Sequence, residues 1–134
     1  MNLFRTPVEI PERRYKLSYK ANSLLIGSCF TLNIGEKLQK FKFPSAVNPF
    51  GVLYNPVSVS NGLSILLNKA SFTEKDLHYY AGKWLSFFHD THFSGKTSEE
   101  VLRQINTSIA THHDQLKKAS FLFISLGTAW VYRH

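Results

Sequence analysis

A serine and the only cysteine of the chain stand side by side where a short apolar run ends. Residues 24–26 are Leu-Leu-Ile, then come Gly27, Ser28 and Cys29, and an amphipathic pattern begins at Phe30. A parallel α/β sheet presents functional side chains at the carboxyl end of a strand that turns into a helix. The thiolate form of cysteine is a nucleophile, and the N–H groups at a helix N-terminus stabilise it. This stretch therefore predicts Cys29 as a nucleophile, with Ser28 as the alternative.

Both residues also have a structural interpretation. A lone cysteine is most often a small buried hydrophobe, and a serine directly before a helix commonly caps the helix with its hydroxyl.

The cysteine count and the N-terminal sequence bear on localisation. One cysteine cannot form an internal disulfide, and the N-terminal residues contain no apolar stretch of the kind found in a secretory signal. The sequence therefore favours the cytoplasm, but only weakly.

Histidines form a second group of chemically capable residues. Residues 89–92 read His-Asp-Thr-His, which could serve a catalytic triad or ligate zinc. No further cysteine or histidine lies nearby at the spacing of a metal site, so no metal and no cofactor is predicted. Surface or packing histidines are the favoured interpretation, and His92 is kept as a catalytic candidate. His112 and His113 are predicted to be exposed on a helix.

The elements that must position these residues alternate between strand and helix. Continuously apolar runs at 24–27 and 121–126 predict buried parallel strands. Residues 42–47 can form a strand only with difficulty, because Pro44 has no N–H to donate. Apolar residues at three- and four-residue steps predict three helices, at 30–41, at 56–69 with Asn55 as N-cap, and at 97–118 with a capping box of Thr97 and Glu100.

Two stretches are less regular. Residues 1–20 predict an extended arm with a possible edge strand, and the aromatic-rich residues 72–95 predict an irregular or two-stranded excursion. The expected fold class is α/β with three layers and a mainly parallel sheet, in one domain over residues 1–134. Because no helix follows the apolar run at 121–126, the sequence predicts the first part of a larger domain, truncated after its third core strand.

Composition excludes several classes of protein. With 43% hydrophobic and 14% aromatic residues among 134, the chain is a folded domain rather than a disordered segment. No apolar run approaches the ~20 residues of a membrane-spanning helix. The formal net charge of +7 is dispersed and no recognition motif accompanies it, so a solvated basic surface is favoured over nucleic-acid binding.

Three motifs in order resemble the GSCFA family. Residues 27–31 (Gly-Ser-Cys-Phe-Thr) look like the motif that names the family, with Thr31 where its alanine stands. Residues 48–56 (Asn-Pro-Phe-Gly-Val-Leu-Tyr-Asn-Pro) resemble its second signature, and residues 126–130 (Leu-Gly-Thr-Ala-Trp) its third. The likeness runs from about Thr6 to the end of the printed sequence. Family members continue further, so the resemblance implies an N-terminal portion of a single GSCFA domain.

The GSCFA family is similar in turn to the SGNH (GDSL-type) hydrolases. Those enzymes carry a nucleophile after the first strand, a glycine and an asparagine that donate to the oxyanion hole, and a late Asp-x-x-His pair. Laying Gly-Asp-Ser over this chain places Cys29 at the nucleophile position and Gly51 at the oxyanion glycine. Gly51 also has an ordinary interpretation as a turn glycine.

The third motif departs from the SGNH pattern. Ala129 stands where the asparagine is expected, so Asn48 or Asn55 is the alternative source of an amide, and Thr128 is counted with the substrate-binding residues. The resemblance places the Asp-x-x-His pair outside this chain. His92 lies in a stretch that resembles a His-containing part of the family.

The resemblance implies an SGNH-like esterase or O-acyltransferase that works through a Cys29 thioester. Carbohydrate or cell-envelope acyl esters are the expected substrates by analogy, and these 134 residues alone are expected to be inactive or nearly so. The alternative is a non-catalytic module in which aromatic residues between 79 and 93 stack on a sugar or peptide while Cys29 is packed. A weaker third interpretation is nucleic-acid binding through the basic surface.

Overall fold

A computed structural model describes Phe4 and residues 6–131, in which strands and helices alternate. Two short 3₁₀ turns, Glu74–Asp76 and Thr91–Phe93, lie between the longer elements. The strands are β1 (Ser23–Gly27), β2 (Ser45–Val47), β3 (His78–Tyr80), β4 (Lys83–Leu85) and β5 (Phe121–Ser125), and the helices are α1 (Cys29–Lys40), α2 (Pro56–Asn68) and α3 (Ser98–Lys118).

Strand β1 lies at the centre of a parallel sheet with the order β2-β1-β5. Its Leu24 and Ile26 belong to the core cluster that includes Val101 and Ile105 of α3, while Leu25 lies beside α1. Because helices cover both faces of β1, every residue of the strand is buried, and the stretch between Ser23 and Gly27 is continuously apolar. The predicted α/β class with a mainly parallel sheet is confirmed.

Helix α1 packs closely on β2 through Gly35. A Cβ at Gly35 would lie 2.4 Å from Cγ2 of Val47, so only glycine fits at this contact. The cost of a glycine inside a helix, ~1 kcal/mol, is therefore offset by packing. Strand β2 forms directly after Pro44, whose carbonyl oxygen accepts the Ser23 N–H at 3.0 Å.

The predicted helix starts at Asn55 and Thr97 are confirmed. The Asn55 side chain accepts the Ser58 N–H at 2.8 Å, and Pro56 takes the first position of α2. The Thr97 hydroxyl accepts the Glu100 N–H at 3.3 Å at the start of α3.

The prediction that residues 121–126 form a buried strand is wrong. The run is a strand, but Phe123 is 40% and Ile124 is 50% exposed. Within the described residues β5 pairs only with β1, so it is an edge strand with apolar side chains partly in solvent.

The predicted exposure of the two helical histidines also needs correction. His113 is buried, and its Nδ1 lies 2.7 Å from the carbonyl oxygen of Leu66. His112 is half-buried. The residue spacing explains the difference, since His113 follows Ile109 by four positions on the buried side of α3.

The remaining predictions concern the irregular stretches. Residues 78–85 form the antiparallel β3–β4 hairpin, as the two-stranded interpretation of residues 72–95 predicted. No strand forms in residues 6–22, so the possible edge strand there is wrong, and residues 1–3 and 5 of the arm lie outside the described residues. In the described chain, no helix combines the length and apolar content needed to cross a membrane.

Candidate active site

Residues 48–54 run across the carboxyl ends of all three parallel strands. Next to β1, the Asn48 Oδ1 accepts the Gly27 N–H and the Leu53 N–H donates to the Gly27 carbonyl, both at 2.9 Å. Next to β5, the Tyr54 carbonyl accepts the Gly127 N–H at 2.8 Å. The structure therefore brings the loops after β1, β2 and β5 together at one edge of the sheet.

Gly27 allows the chain to turn from β1 into α1 while it touches β5. Its φ of +142° is one that residues with a side chain rarely adopt, and a Cβ would lie 2.0 Å from the carbonyl oxygen of Ser125. That same carbonyl accepts the Ser28 N–H at 3.1 Å. Gly27 thus fixes where the next two residues lie.

Ser28 is a structural residue in this geometry. It occupies the N-cap position of α1, but its hydroxyl makes no capping bond, so the prediction of a capping hydroxyl is wrong. The side chain is buried, and its Oγ lies 2.8 Å from Oγ of Ser125. The Ser125 hydroxyl also bonds to the Thr31 hydroxyl. A cross-strand hydroxyl network therefore holds Ser28, which does not favour it as the nucleophile.

Cys29 is the first residue of α1 and is exposed. This excludes the interpretation of the cysteine as a buried packing residue. No described residue forms a hydrogen bond to its thiol, and no side chain in the described chain caps this helix end. The first-turn N–H groups, which have no partner inside a helix, thus lie beside an accessible thiol.

Asn48 contributes a buried amide donor at the same edge. It is 8% exposed and adopts a left-handed backbone conformation with φ of +46°, which asparagine tolerates better than most residues. Because Oδ1 accepts the Gly27 N–H, the amide orientation is fixed. The buried Nδ2 has no partner among the described residues. An unpaired buried donor costs about 1–3 kcal/mol, so the Asn48 amide is an energetically unfavourable feature of this sheet edge.

Gly51 lies in the same turn, with its N–H already engaged. The Gly51 N–H donates to the Asn48 carbonyl at 2.9 Å, and its φ is +77°. A Cβ would lie 1.9 Å from Cγ of Asp90. Glycine is required here by the turn and by the carboxylate, and its amide is not free to serve an oxyanion hole in this geometry.

Asn55 directly follows residues 48–54, and Thr128 lies in the loop after β5. Both polar atoms of the Asn55 side chain are engaged at the start of α2, where Nδ2 donates to the Ser58 hydroxyl at 3.0 Å in addition to the capping bond. The Thr128 N–H donates to the Tyr54 carbonyl at 3.1 Å and its hydroxyl accepts the Trp130 N–H at 3.1 Å. Of the amides proposed from the sequence, only that of Asn48 has an unpartnered donor within the described chain.

Asp90 belongs to the stretch 89–92 considered from the sequence, but only His92 of that stretch was kept as an individual candidate. Its carboxylate accepts the Val52 N–H at 2.9 Å and the His92 N–H at 3.0 Å. Nδ1 of His92 lies 3.2 Å from both carboxylate oxygens, while the ring is largely exposed. The signal available in the sequence was an aspartate two residues before a histidine, which is the spacing of an Asx-type cap.

His89 is a packing residue behind the turn. Its ring lies against Phe50 and Phe72, with ring centroids 5.0 and 5.2 Å away, and Nδ1 lies 3.1 Å from Oγ of Ser86. Burial lowers the pKa of His89 to about 4, although the charge of Asp90 acts in the opposite direction. Burial also lowers the pKa of His112. Within the described chain, no three His, Cys, Asp or Glu residues form a group that could hold a metal ion.

The fold and the site define a parallel α/β protein with an exposed cysteine at a strand-to-helix turn. The family model described as the GSCFA family matches residues 22–134, which takes in every strand and helix above. The chain belongs to the GSCFA family. A comparison with the curated proteins gives no match, and a comparison with the solved structures gives none either.

Proposed function

We propose that this GSCFA protein has an SGNH-like fold and transfers acyl groups through a thioester on Cys29, as an esterase or an O-acyltransferase. The observation that carries the proposal is the exposed thiol of Cys29 at an uncapped helix start, on the sheet edge that also holds the unpartnered Asn48 amide. By analogy with SGNH hydrolases, the substrates are small-molecule, carbohydrate or cell-envelope acyl esters.

The reaction proceeds in two balanced steps. The Cys29 thiol gives its proton to a base, and Sγ bonds to the ester carbonyl carbon while the carbonyl electron pair moves to oxygen. When this intermediate collapses, the bond to the alkoxide breaks, the alkoxide takes a proton from the base and the thioester remains. In the second step the base takes the proton of water or of an acceptor hydroxyl, and that oxygen bonds to the thioester carbon. The C–S bond then breaks, the sulfur takes the proton back from the base, and the carboxylic acid or the new ester leaves.

The oxyanion receives its hydrogen bonds from two sources in this proposal. The first is the set of N–H groups in the first turn of α1. The second is the Nδ2 amide of Asn48, which is buried in this geometry and has to become accessible when the ester binds. Fixed donors at an oxyanion are each worth about 10²- to 10³-fold in rate.

His92 is the base candidate within the described residues. Its Nδ1 is hydrogen-bonded to Asp90, so Nε2 is the free nitrogen of an exposed ring. Asp90 also contacts the turn at residues 48–54, which is hydrogen-bonded to Gly27. The sequence contains no Asp-x-x-His pair of the SGNH kind. The proposal therefore predicts that these 134 residues form the thioester but turn it over slowly or not at all.

The test is a stopped-flow reaction of the chain with p-nitrophenyl acetate, followed by intact mass measurement. We expect release of about one p-nitrophenolate per chain, together with one acetyl group that neutral hydroxylamine removes. Cys29→Ala abolishes both signals, whereas Ser28→Ala retains them. An acetyl group that survives in Cys29→Ala and disappears in Ser28→Ala contradicts the assignment of the nucleophile, and rapid steady turnover contradicts the predicted need for a further histidine.

A second candidate is ligand binding by exposed aromatic residues on the β3–β4 hairpin. Tyr79 is 62% and Tyr80 is 74% exposed, and the ring of Tyr79 lies 5.4 Å from that of Trp84. Such rings stack on the faces of sugars and peptides. Titration with a panel of oligosaccharides, read by tryptophan fluorescence, tests this function. Saturable quenching that is lost in Tyr79→Ala supports it, and no change with any sugar argues against it.

A further inference from the structure

The Asp90 carboxylate receives N–H groups from two separate parts of the chain. The Val52 N–H belongs to the turn after β2, and the His92 N–H and ring Nδ1 belong to the segment after the hairpin. Asp90 is only partly exposed, with 18% of its side chain accessible. One carboxylate thus ties the turn and the imidazole together.

A backbone hydrogen bond and close packing also join Asp90 to the turn after β2. The Asp90 N–H donates to the carbonyl of Phe50 at 2.9 Å, and Phe50 is fully buried. The carboxylate occupies the space that a side chain on residue 51 would fill, because a Cβ at Gly51 would lie 1.9 Å from Cγ of Asp90. The turn and Asp90 therefore fix each other's position.

We propose that Asp90 is a positioning residue for the acyl-transfer site. The inference rests on the proposed function. Asp90 holds the turn that presents the Asn48 amide, since Gly51 donates to the Asn48 carbonyl and Val52 donates to Asp90. It also keeps the proton of the His92 ring on Nδ1, so that Nε2 is the nitrogen available as a base.

The first test measures thioester formation in a single turnover with p-nitrophenyl acetate. Asp90→Ala is expected to lower the limiting rate about 10- to 100-fold, the cost of a misplaced donor, with little change in the ester concentration at half-maximal rate. Asp90→Asn loses less, because its amide oxygen still accepts the Val52 N–H. Gly51→Ala, which pushes the carboxylate away, is an independent variant and is also expected to be slow.

The matched control is Asp76→Asn. Asp76 also lies two residues before a histidine and also accepts a backbone N–H, that of Thr73 at 2.7 Å, beside the other 3₁₀ turn. Its removal is expected to leave the rate unchanged. Circular dichroism confirms that each variant is folded, and Asp90→Asn keeps the test decisive if Asp90→Ala is not folded.

The second test does not depend on thioester formation. Ring ¹⁵N NMR shifts are expected to show Nδ1–H for His92 in the wild type and a shift toward Nε2–H in Asp90→Asn, and hydrogen exchange at Val52 is expected to accelerate in Asp90→Ala. An unaltered acylation rate in folded Asp90→Ala and Asp90→Asn overturns the inference alone. A wild-type chain that forms no thioester overturns the proposed function and this inference with it.

Discussion

His89 connects the stability of the fold to pH, because a buried neutral imidazole lies directly behind the candidate site. Its ring contacts Phe50 in the turn and Phe72, and its Nε2 has no partner among the described residues. Burial lowers the pKa of His89 from 6.5 to about 4. Protonation of the ring would place a charge among aromatic side chains with one unpartnered N–H.

The direction in which pH changes the stability follows from the difference in proton binding between the folded and the unfolded chain. Between pH 6.5 and about 4 the unfolded chain carries a proton on this imidazole and the folded chain does not. The stability contributed by neutral His89 is therefore complete above pH 6.5, falls as the pH drops through this range, and is lost near pH 4. The pKa difference corresponds to on the order of 3 kcal/mol.

The assay is urea unfolding followed by circular dichroism, at several pH values from 7.5 to about 4.5. We expect the wild-type free energy of unfolding to decrease with falling pH, and His89→Phe, which keeps an aromatic ring among aromatic neighbours, to lose most of that dependence. His78→Gln, at an exposed position, is the matched control and keeps the wild-type slope. The lowered pKa of His112 adds a decrease in the same direction, so His112→Gln measures its share. The reasoning is refuted if His89→Phe retains the full wild-type pH dependence.

Three further predictions test the packing, the donor and a helix cap. Gly35→Ala is expected to destabilise the protein despite its better helix propensity, and Val47→Ala in the same chain is expected to recover part of the loss; urea unfolding of the four members of the cycle measures the coupling. Asn48→Ala is expected to slow thioester formation at least 100-fold in stopped-flow measurements, and an unaltered rate contradicts the donor role. Asn55→Ala is expected to lower the free energy of unfolding by about 1 kcal/mol, measured in the same way, since it removes the cap of α2.

The features that the sequence predicted correctly depend on local signals. Residues 24–26 of β1 are continuously apolar because the strand is covered on both faces, and Asn55 followed by Pro56 marks the start of a helix within a few residues. A glycine inside a helix, such as Gly35, is also a local signal, because it is otherwise unfavourable there and so indicates a close contact. The burial of His113 could also have been predicted, although exposure was expected, because His113 continues the four-residue spacing of Ile105 and Ile109.

The features that the sequence did not predict depend on distant partners. The Ser28 hydroxyl bonds to Ser125, 97 positions away, instead of capping its own helix. The Asp90 carboxylate meets Val52, 38 positions earlier. The exposure of β5 depends on which elements lie beside it, and its apolar sequence alone indicates burial. Pairings of this kind are determined by tertiary packing, which no local pattern encodes.

The acylation rate of Cys29, compared between the folded and the unfolded chain, measures whether the fold activates this thiol. Because the chain has one cysteine, any thioester formed with p-nitrophenyl acetate is on Cys29. Peptide mass mapping locates the acetyl group, and Cys29→Ala is the blank. If the helix start and the Asn48 amide assist the reaction, the native protein acquires the thioester faster than the same chain unfolded in urea. An equal or slower rate in the native protein contradicts the assignment of Cys29 as an activated nucleophile, since the unfolded thiol has neither the helix nor the amide beside it.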